Sequence, residues 1–130
     1  MKPFVSFVII ALGGAAGSVA RYALSEWVRA WLGAGFPYGT IMVNVLGSFA
    51  MGVIAHVARA TSLLPPAVAL GLTTGLLGGF TTYSTFNDDT LRLLTGGALG
   101  RAALNMGVTL FAGLAAGFAG LFVARYIGSQ

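Results

Sequence analysis

A chain of 130 residues that is 57% hydrophobic and 8% charged is too apolar for a water-soluble domain, in which about a quarter of residues carry charge. It reads as one all-α membrane domain over residues 1–130, with room for four helices of about 20 apolar residues each and none for a soluble domain. The net charge of +4 comes from scattered basic residues, not the basic stripe that nucleic acid requires, and the absence of cysteine excludes disulfides, thiolate metal sites and cysteine nucleophiles.

The first span runs from Phe4 to about Trp31. Its opening, MKPFVSFVIIAL, has the lysine and apolar run of a signal peptide, but the apolar pattern continues through Gly13 to Ala23 and is read as a span. Gly13 and Gly17 form a small-xxx-small pair that admits a second helix closely. Arg21 and Tyr22 follow while the chain is still in or near the membrane. Two accounts of Arg21 stay open: it snorkels to the headgroups, or it stands at the mouth of an aqueous vestibule. Trp27 and Trp31 mark the interfacial belt. Gly33 to Pro37 is a turn, and the second span covers Tyr38 to Val57 with Asn44 and Gly47 one helical turn apart. A mid-membrane Asn either ties helices together or faces an ion. His56, beside Arg59, has no second metal ligand near it.

Ser62 to Pro66 is the next connection, and the third span begins near Ala67. The stretch from Thr73 to Thr90, TTGLLGGFTTYSTFNDDT, carries more hydroxyls than hydrocarbon tolerates unless they are enclosed or line a water-filled path. Gly71, Gly75 and Gly79 recur at four-residue spacing, so one flank of the helix is bare backbone; the pair Gly78–Gly79 before Phe80-Thr81-Thr82 favours a break halfway through the bilayer, against a continuous helix whose glycines form a packing groove. A half-helix ending near Leu77 then leaves carbonyls suited to a cation. One starting near Thr82 offers N–H groups and a positive dipole end to an anion. Beyond the break Tyr83 and Phe86 share a face, with polar stripes of Thr81, Ser84 and Asp88 and of Thr82, Thr85 and Asp89. The fourth span, from Ala98 to Tyr126, has Gly113 and Gly117 four apart and places Asn105 and Thr109 on one face, where they either meet the polar side of the third span or hydrogen-bond to helix backbone.

Lys2, Arg59 and Arg125 fall on one side of this layout and Arg29, Arg92 and Arg101 on the other, with Arg21 between them. Such even numbers set no single orientation under the positive-inside rule. Insertion both ways round, and assembly of two opposed copies, follows as the expectation. Catalysis finds no support in one histidine and no cysteine, without a nucleophile set or metal spacing, and no phosphate loop accompanies the glycines. A small permeating ion fits better, because hydroxyls, amides and ring edges replace a hydration shell without trapping the ion.

Three ordered blocks, GGAAGSVARY at Gly13 to Tyr22, GTIMVNVLGSF at Gly39 to Phe49 and GLLGGFTTYSTF at Gly75 to Phe86, closely resemble the small bacterial fluoride channels of the Fluc family. The resemblance implies an antiparallel dual-topology homodimer with two pores in the bacterial inner membrane, shedding fluoride down its gradient. It also implies a central sodium ion held by the main-chain carbonyls of Gly78 and Thr81 from both subunits. Asn44 matches the family's pore asparagine, Ser84 and Thr85 its hydroxyl track, and Arg21 its basic vestibule residue. The two ring-edge phenylalanines of the family align with Tyr83 and Phe86, so the first ring here carries a phenol. Its usual glutamate is Asp89 in this chain, with Asp88 beside it. On the fourth helix a pore-facing aromatic of some members aligns with Asn105, and Thr109 one turn along is able to serve as a hydroxyl ligand for the ion.

The competing reading in another class is a proton-coupled small multidrug-type exporter, which needs a titratable carboxylate deep in its first helix; only Glu26, near the end of that helix, is available. A purely structural subunit leaves the hydroxyl stripes without a purpose.

Overall fold

The computed structural model describes residues 2–128. Three of its helices are long and apolar enough to cross a bilayer: α1 (Pro3–Leu32), α2 (Tyr38–Ala60) and α6 (Leu99–Gly128). The chain is a multi-pass membrane protein. Helices are the form such apolar runs must take, since hydrocarbon supplies no hydrogen-bond partner and a helix satisfies its own backbone. The interior is correspondingly thin. Among the described residues Val28, Val43, Leu77, Ala102 and Ala124 are the buried apolar side chains, whereas Phe4, Leu12, Phe111 and Phe122 are exposed. Pro3 and Pro66 open helices at the position where a missing N–H costs nothing. Gly33 closes α1 with φ +81° and donates its N–H to the Arg29 carbonyl at 2.9 Å, a conformation that side-chain-bearing residues rarely adopt.

Between α2 and α6 lies a composite segment. α3 (Pro66–Leu70) leads into a wider π-helical stretch (Gly71–Leu77) and then α4 (Gly78–Phe80). The helical path stops there. Thr81 and Thr82 are extended, at φ −77°, ψ 153° and φ −150°, ψ 114°, and α5 (Tyr83–Thr95) resumes after them. The second half-helix starts near Thr82 as expected, but the glycine pair does not itself uncoil, and the first half-helix runs past Leu77 to Phe80. Gly78 keeps helical angles of φ −63°, ψ −36°, and the chain leaves the helix at the β-branched Thr81 and Thr82.

Packing explains why the glycines stay wound. A Cβ built on Gly79 would meet the backbone of Gly14, its Cα at 3.0 Å, and one on Gly13 would lie 2.7 Å from the Gly71 carbonyl oxygen. The four-residue glycine spacing is used for the approach of α1, not for opening the chain. The threonines that follow have side chains suited to extended backbone. α2 packs most extensively on α6, where Gly52 lies against the Gly117 carbonyl and Gly120 against that of Phe49. Both pairings bring backbone to backbone, the usual basis of helix association where the solvent is as apolar as the side chains.

Candidate functional site

An interruption at Thr81–Thr82 strips partners from the groups on both sides of it, and in a low-dielectric setting each needs a replacement. Asn44 supplies two. Its Oδ1 accepts from the Thr82 N–H at 2.8 Å and its Nδ2 donates to the Thr82 carbonyl at 3.0 Å, so one carboxamide grips both polar groups of a single residue. The helix-tying account of Asn44 is therefore realised, and the amide keeps one further N–H. Arg21 reaches across from α1, its Nε donating to the Gly79 carbonyl at 3.2 Å, with Ser18 Oγ on the same oxygen at 3.5 Å. Thr82 caps α5: its Oγ1 accepts from the Thr85 N–H at 3.2 Å and donates to Thr85 Oγ1 at 3.0 Å, with Ser84 Oγ 3.3 Å away.

The interruption takes the helical donors from the carbonyls of Gly78 to Thr81; Arg21 and Ser18 serve that of Gly79, and for Gly78 and Thr81 the diverted donor is visible. The Thr82 N–H that would serve Gly78 goes to Asn44, and the Thr85 N–H that would serve Thr81 goes to the Thr82 hydroxyl. Among the described residues no cluster of three or more His, Asp or Glu side chains stands ready for a metal, so a cation at this point would depend on main-chain oxygen.

Beside the break an open groove of about 1020 Å³ runs between α2 and α6. Of the polar and aromatic residues singled out in the sequence, it brings together Asn44, Arg59, Thr81, Thr82, Tyr83, Phe86 and Thr109. The two rings stand 5.7 Å apart at 50°, and Tyr83 is 78% exposed, which leaves ring edges and a phenol facing the groove. Ser84 and Thr85 sit next to it with hydroxyls turned to Thr82. Gly78, Arg21 and Asp89 lie off its lining. Apolar side chains such as Met51, Met106 and Phe118 complete the walls, so polar contacts are few and separate.

Asp89 is buried, accepting from Thr40 Oγ1 at 2.7 Å and from the Arg92 guanidinium at 2.5 Å, while Arg92 Nε also reaches Asp88 at 3.2 Å. Asn105 has no exposed surface. Its Nδ2 donates to Thr90 Oγ1 at 2.9 Å, Thr90 donates on to the Phe86 carbonyl at 2.8 Å, and Thr109 donates to Asn105 Oδ1 at 3.5 Å. Asn105 thus meets the polar side of α5 and joins the Thr109 hydroxyl to the segment that carries Phe86. Thr40, Ser18 and Thr90 were not singled out from the sequence. The signal for the first two was their spacing, one turn before Asn44 and before Arg21 on the same faces.

Taken together, the groove offers an amide, hydroxyls, ring edges and the Arg59 guanidinium to a solute. Comparison with known proteins places this arrangement in a family context. Residues 8–121 match the family model described as CrcB-like protein, camphor resistance. The chain is 51% identical over 116 residues to a protein of Sorangium cellulosum (strain So ce56) named fluoride-specific ion channel FluC, covering 89% of this chain and 91% of that one. It is 46% identical to the protein of the same name from Geobacter metallireducens, covering 95% and 99%, and 46% identical to that of Thermus thermophilus, covering 88% and 89%.

Proposed function

The chain belongs to the CrcB-like family, and from that premise we propose that it is a channel through which fluoride leaves the bacterial cell passively, across the inner membrane, as an antiparallel homodimer. The observation that carries the reading is the groove beside the Thr81–Thr82 interruption, where Asn44, Tyr83, Phe86 and Thr109 converge in a chain whose relatives are named for fluoride conduction. The relatives carry the name of an ion channel and not of an enzyme.

Fluoride is small and strongly hydrated, so a pathway must offer hydrogen-bond donors and positive ring edges in place of water. It must also hold the ion loosely enough to release it. The spaced amide, hydroxyl and ring-edge ligands meet both conditions, and the Arg59 guanidinium on the same lining adds a positive charge. The neighbouring carboxylate does not oppose the anion with a bare charge, because Arg92 and Thr40 hold Asp89. The groove is open along its length, and closing it against lipid falls to a second copy. The segment from Pro66 through the interruption to Thr95 serves as the fourth crossing, with the interruption at mid-depth. Glu26 is engaged by Arg29 on an exposed face, and nothing favours its use as the deep proton carrier of a multidrug exporter.

Purified protein in liposomes loaded with fluoride should discharge the ion rapidly to an external fluoride electrode, while parallel vesicles retain chloride. Fluoride retention, or equal loss of both halides, would remove the proposed function.

The Gly78 and Thr81 carbonyls fit a sodium ion, since hard cations take oxygen ligands and these two have lost their helical donors. Two copies related by the dimer axis would supply four oxygens. The ion would fix the crossing of the two interruptions. Replacing sodium throughout purification with a bulky organic cation should lower both the dimer fraction by native mass and the fluoride flux. Unchanged dimer mass and flux in its absence would count against the site.

A further inference from the structure

All three acidic side chains of this chain are engaged: Glu26 by Arg29, and Asp88 and Asp89 by Arg92. Arg101, at the same end of the molecule, therefore has no carboxylate side chain to pair with. Its one hydrogen bond among the described residues is from NH1 to the Gly35 carbonyl at 3.3 Å, which leaves most of a five-donor guanidinium facing outward. Directly below it is a slot of about 480 Å³, lined by Phe36, Tyr38, Ile41, Leu104 and Val108.

The position of this slot matters as much as its lining. Trp27 and Trp31, both exposed, close the α1 end that leads into the same connection and mark the headgroup level. At 3.6 residues per turn, Arg101, Leu104 and Val108 lie on one side of α6, nearly opposite the side that carries Met106, Gly113 and Gly117 into the large groove. A second copy closing that groove leaves the slot facing lipid. From Arg101 to Val108 the slot follows α6 for about 10 Å toward the bilayer interior.

We propose that this slot binds an anionic phospholipid, its phosphate on the Arg101 guanidinium and one acyl chain laid along Leu104 and Val108. The cation supplies what a phosphodiester takes bidentately, and the apolar walls take the chain. A zwitterionic lipid brings an ammonium as well, and the acids at this end are already committed to arginines. Free phosphate would leave the apolar half of the slot unused.

The test is native mass spectrometry of the full chain released from nanodiscs of equal phosphatidylglycerol and phosphatidylcholine with identical acyl chains. Wild type should retain phosphatidylglycerol about fivefold over phosphatidylcholine, the preference that one interfacial cation gives. Arg101→Gln should bring the ratio near one, and Leu104→Trp should reduce retention of both lipids by filling the slot. Arg125→Gln, at the other end of α6, should leave the ratio unchanged. An unaltered preference in Arg101→Gln, or an equal loss in Arg125→Gln, would overturn the proposal. Displacement of phosphatidylglycerol by inorganic phosphate would make a free anion the ligand, and a changed subunit count in Leu104→Trp would make the occupant a second copy; either result overturns it.

Discussion

Asn44→Asp should abolish fluoride flux while leaving a protein that still folds into the membrane. In the wild type the carboxamide accepts from the Thr82 N–H and donates to the Thr82 carbonyl. A carboxylate keeps the first contact and turns the second into two acceptors facing each other at hydrogen-bond distance. Losing that pairing with a polar group left unmet costs about 1–3 kcal/mol, enough to loosen the interruption but not to unfold the protein. The larger effect falls on the ion. Asn44 lines the groove, and an anion passing at about 4 Å from a new negative charge meets roughly 4 kcal/mol of repulsion at an effective dielectric constant near 20, a factor of about a thousand in occupancy. Flux from proteoliposomes should fall to the level of empty vesicles, with the size-exclusion profile and helical circular dichroism of the wild type. Wild-type flux from the folded variant would take Asn44 out of the pathway.

Much of this fold is legible from residue type alone because the bilayer makes local composition decisive. The long apolar runs, bounded by Pro3, by the Gly33 to Pro37 turn and by the polar connection before Leu99, give α1, α2 and α6 nearly to their ends. The interruption is where local reasoning slips by a few residues. Glycine permits many conformations, so a Gly-Gly pair inside an apolar run reads as the weak point. What sets the backbone here is a side chain 38 residues away, since Asn44 takes over the hydrogen bonds of Thr82, and the glycines are held helical by the closeness of α1. No periodicity announces the π-helical winding of Gly71–Leu77 either.

The same division runs through the site. Asn44, Tyr83, Phe86 and Thr109 stand out as polar or aromatic groups in apolar surroundings, and the fold gathers them in one groove. The contacts that hold the surrounding segments are of another kind. Thr40 on Asp89 and Asn105 on Thr90 join different elements, and a threonine in an apolar helix looks the same whether it bonds to its own backbone or to a distant carboxylate. Asn105 shows the difference plainly: alignment with an aromatic position suggests a pore-facing group, while its complete burial makes it a cross-brace between α5 and α6.

Gly17→Ala should prevent folding, although the change adds one methyl group to a helix that alanine ordinarily favours by about 1 kcal/mol. A Cβ at this position would run into the carbonyl oxygen of Leu76 and lie 2.9 Å from the Phe80 nitrogen. These are backbone atoms, so no side-chain rotation relieves the contact, and α1 must move off the segment that ends in the interruption. Overpacking of a rigid site costs about 1–3 kcal/mol in general. Here the displacement also pulls Arg21 and Ser18, one turn along or next in sequence, away from the Gly79 carbonyl they satisfy, adding about 1–3 kcal/mol for an unmet buried acceptor. The sum, up to about 6 kcal/mol, reaches the lower end of the roughly 5–15 kcal/mol by which a domain is stable. Gly17→Ala should therefore yield aggregated or degraded protein, whereas Gly100→Ala, with nothing within 4 Å of the added carbon, should express and elute as wild type does. Normal thermal stability of Gly17→Ala in detergent would show that α1 does not sit against the interrupted segment this closely, and the donors assigned to the Gly79 carbonyl would have to be sought elsewhere.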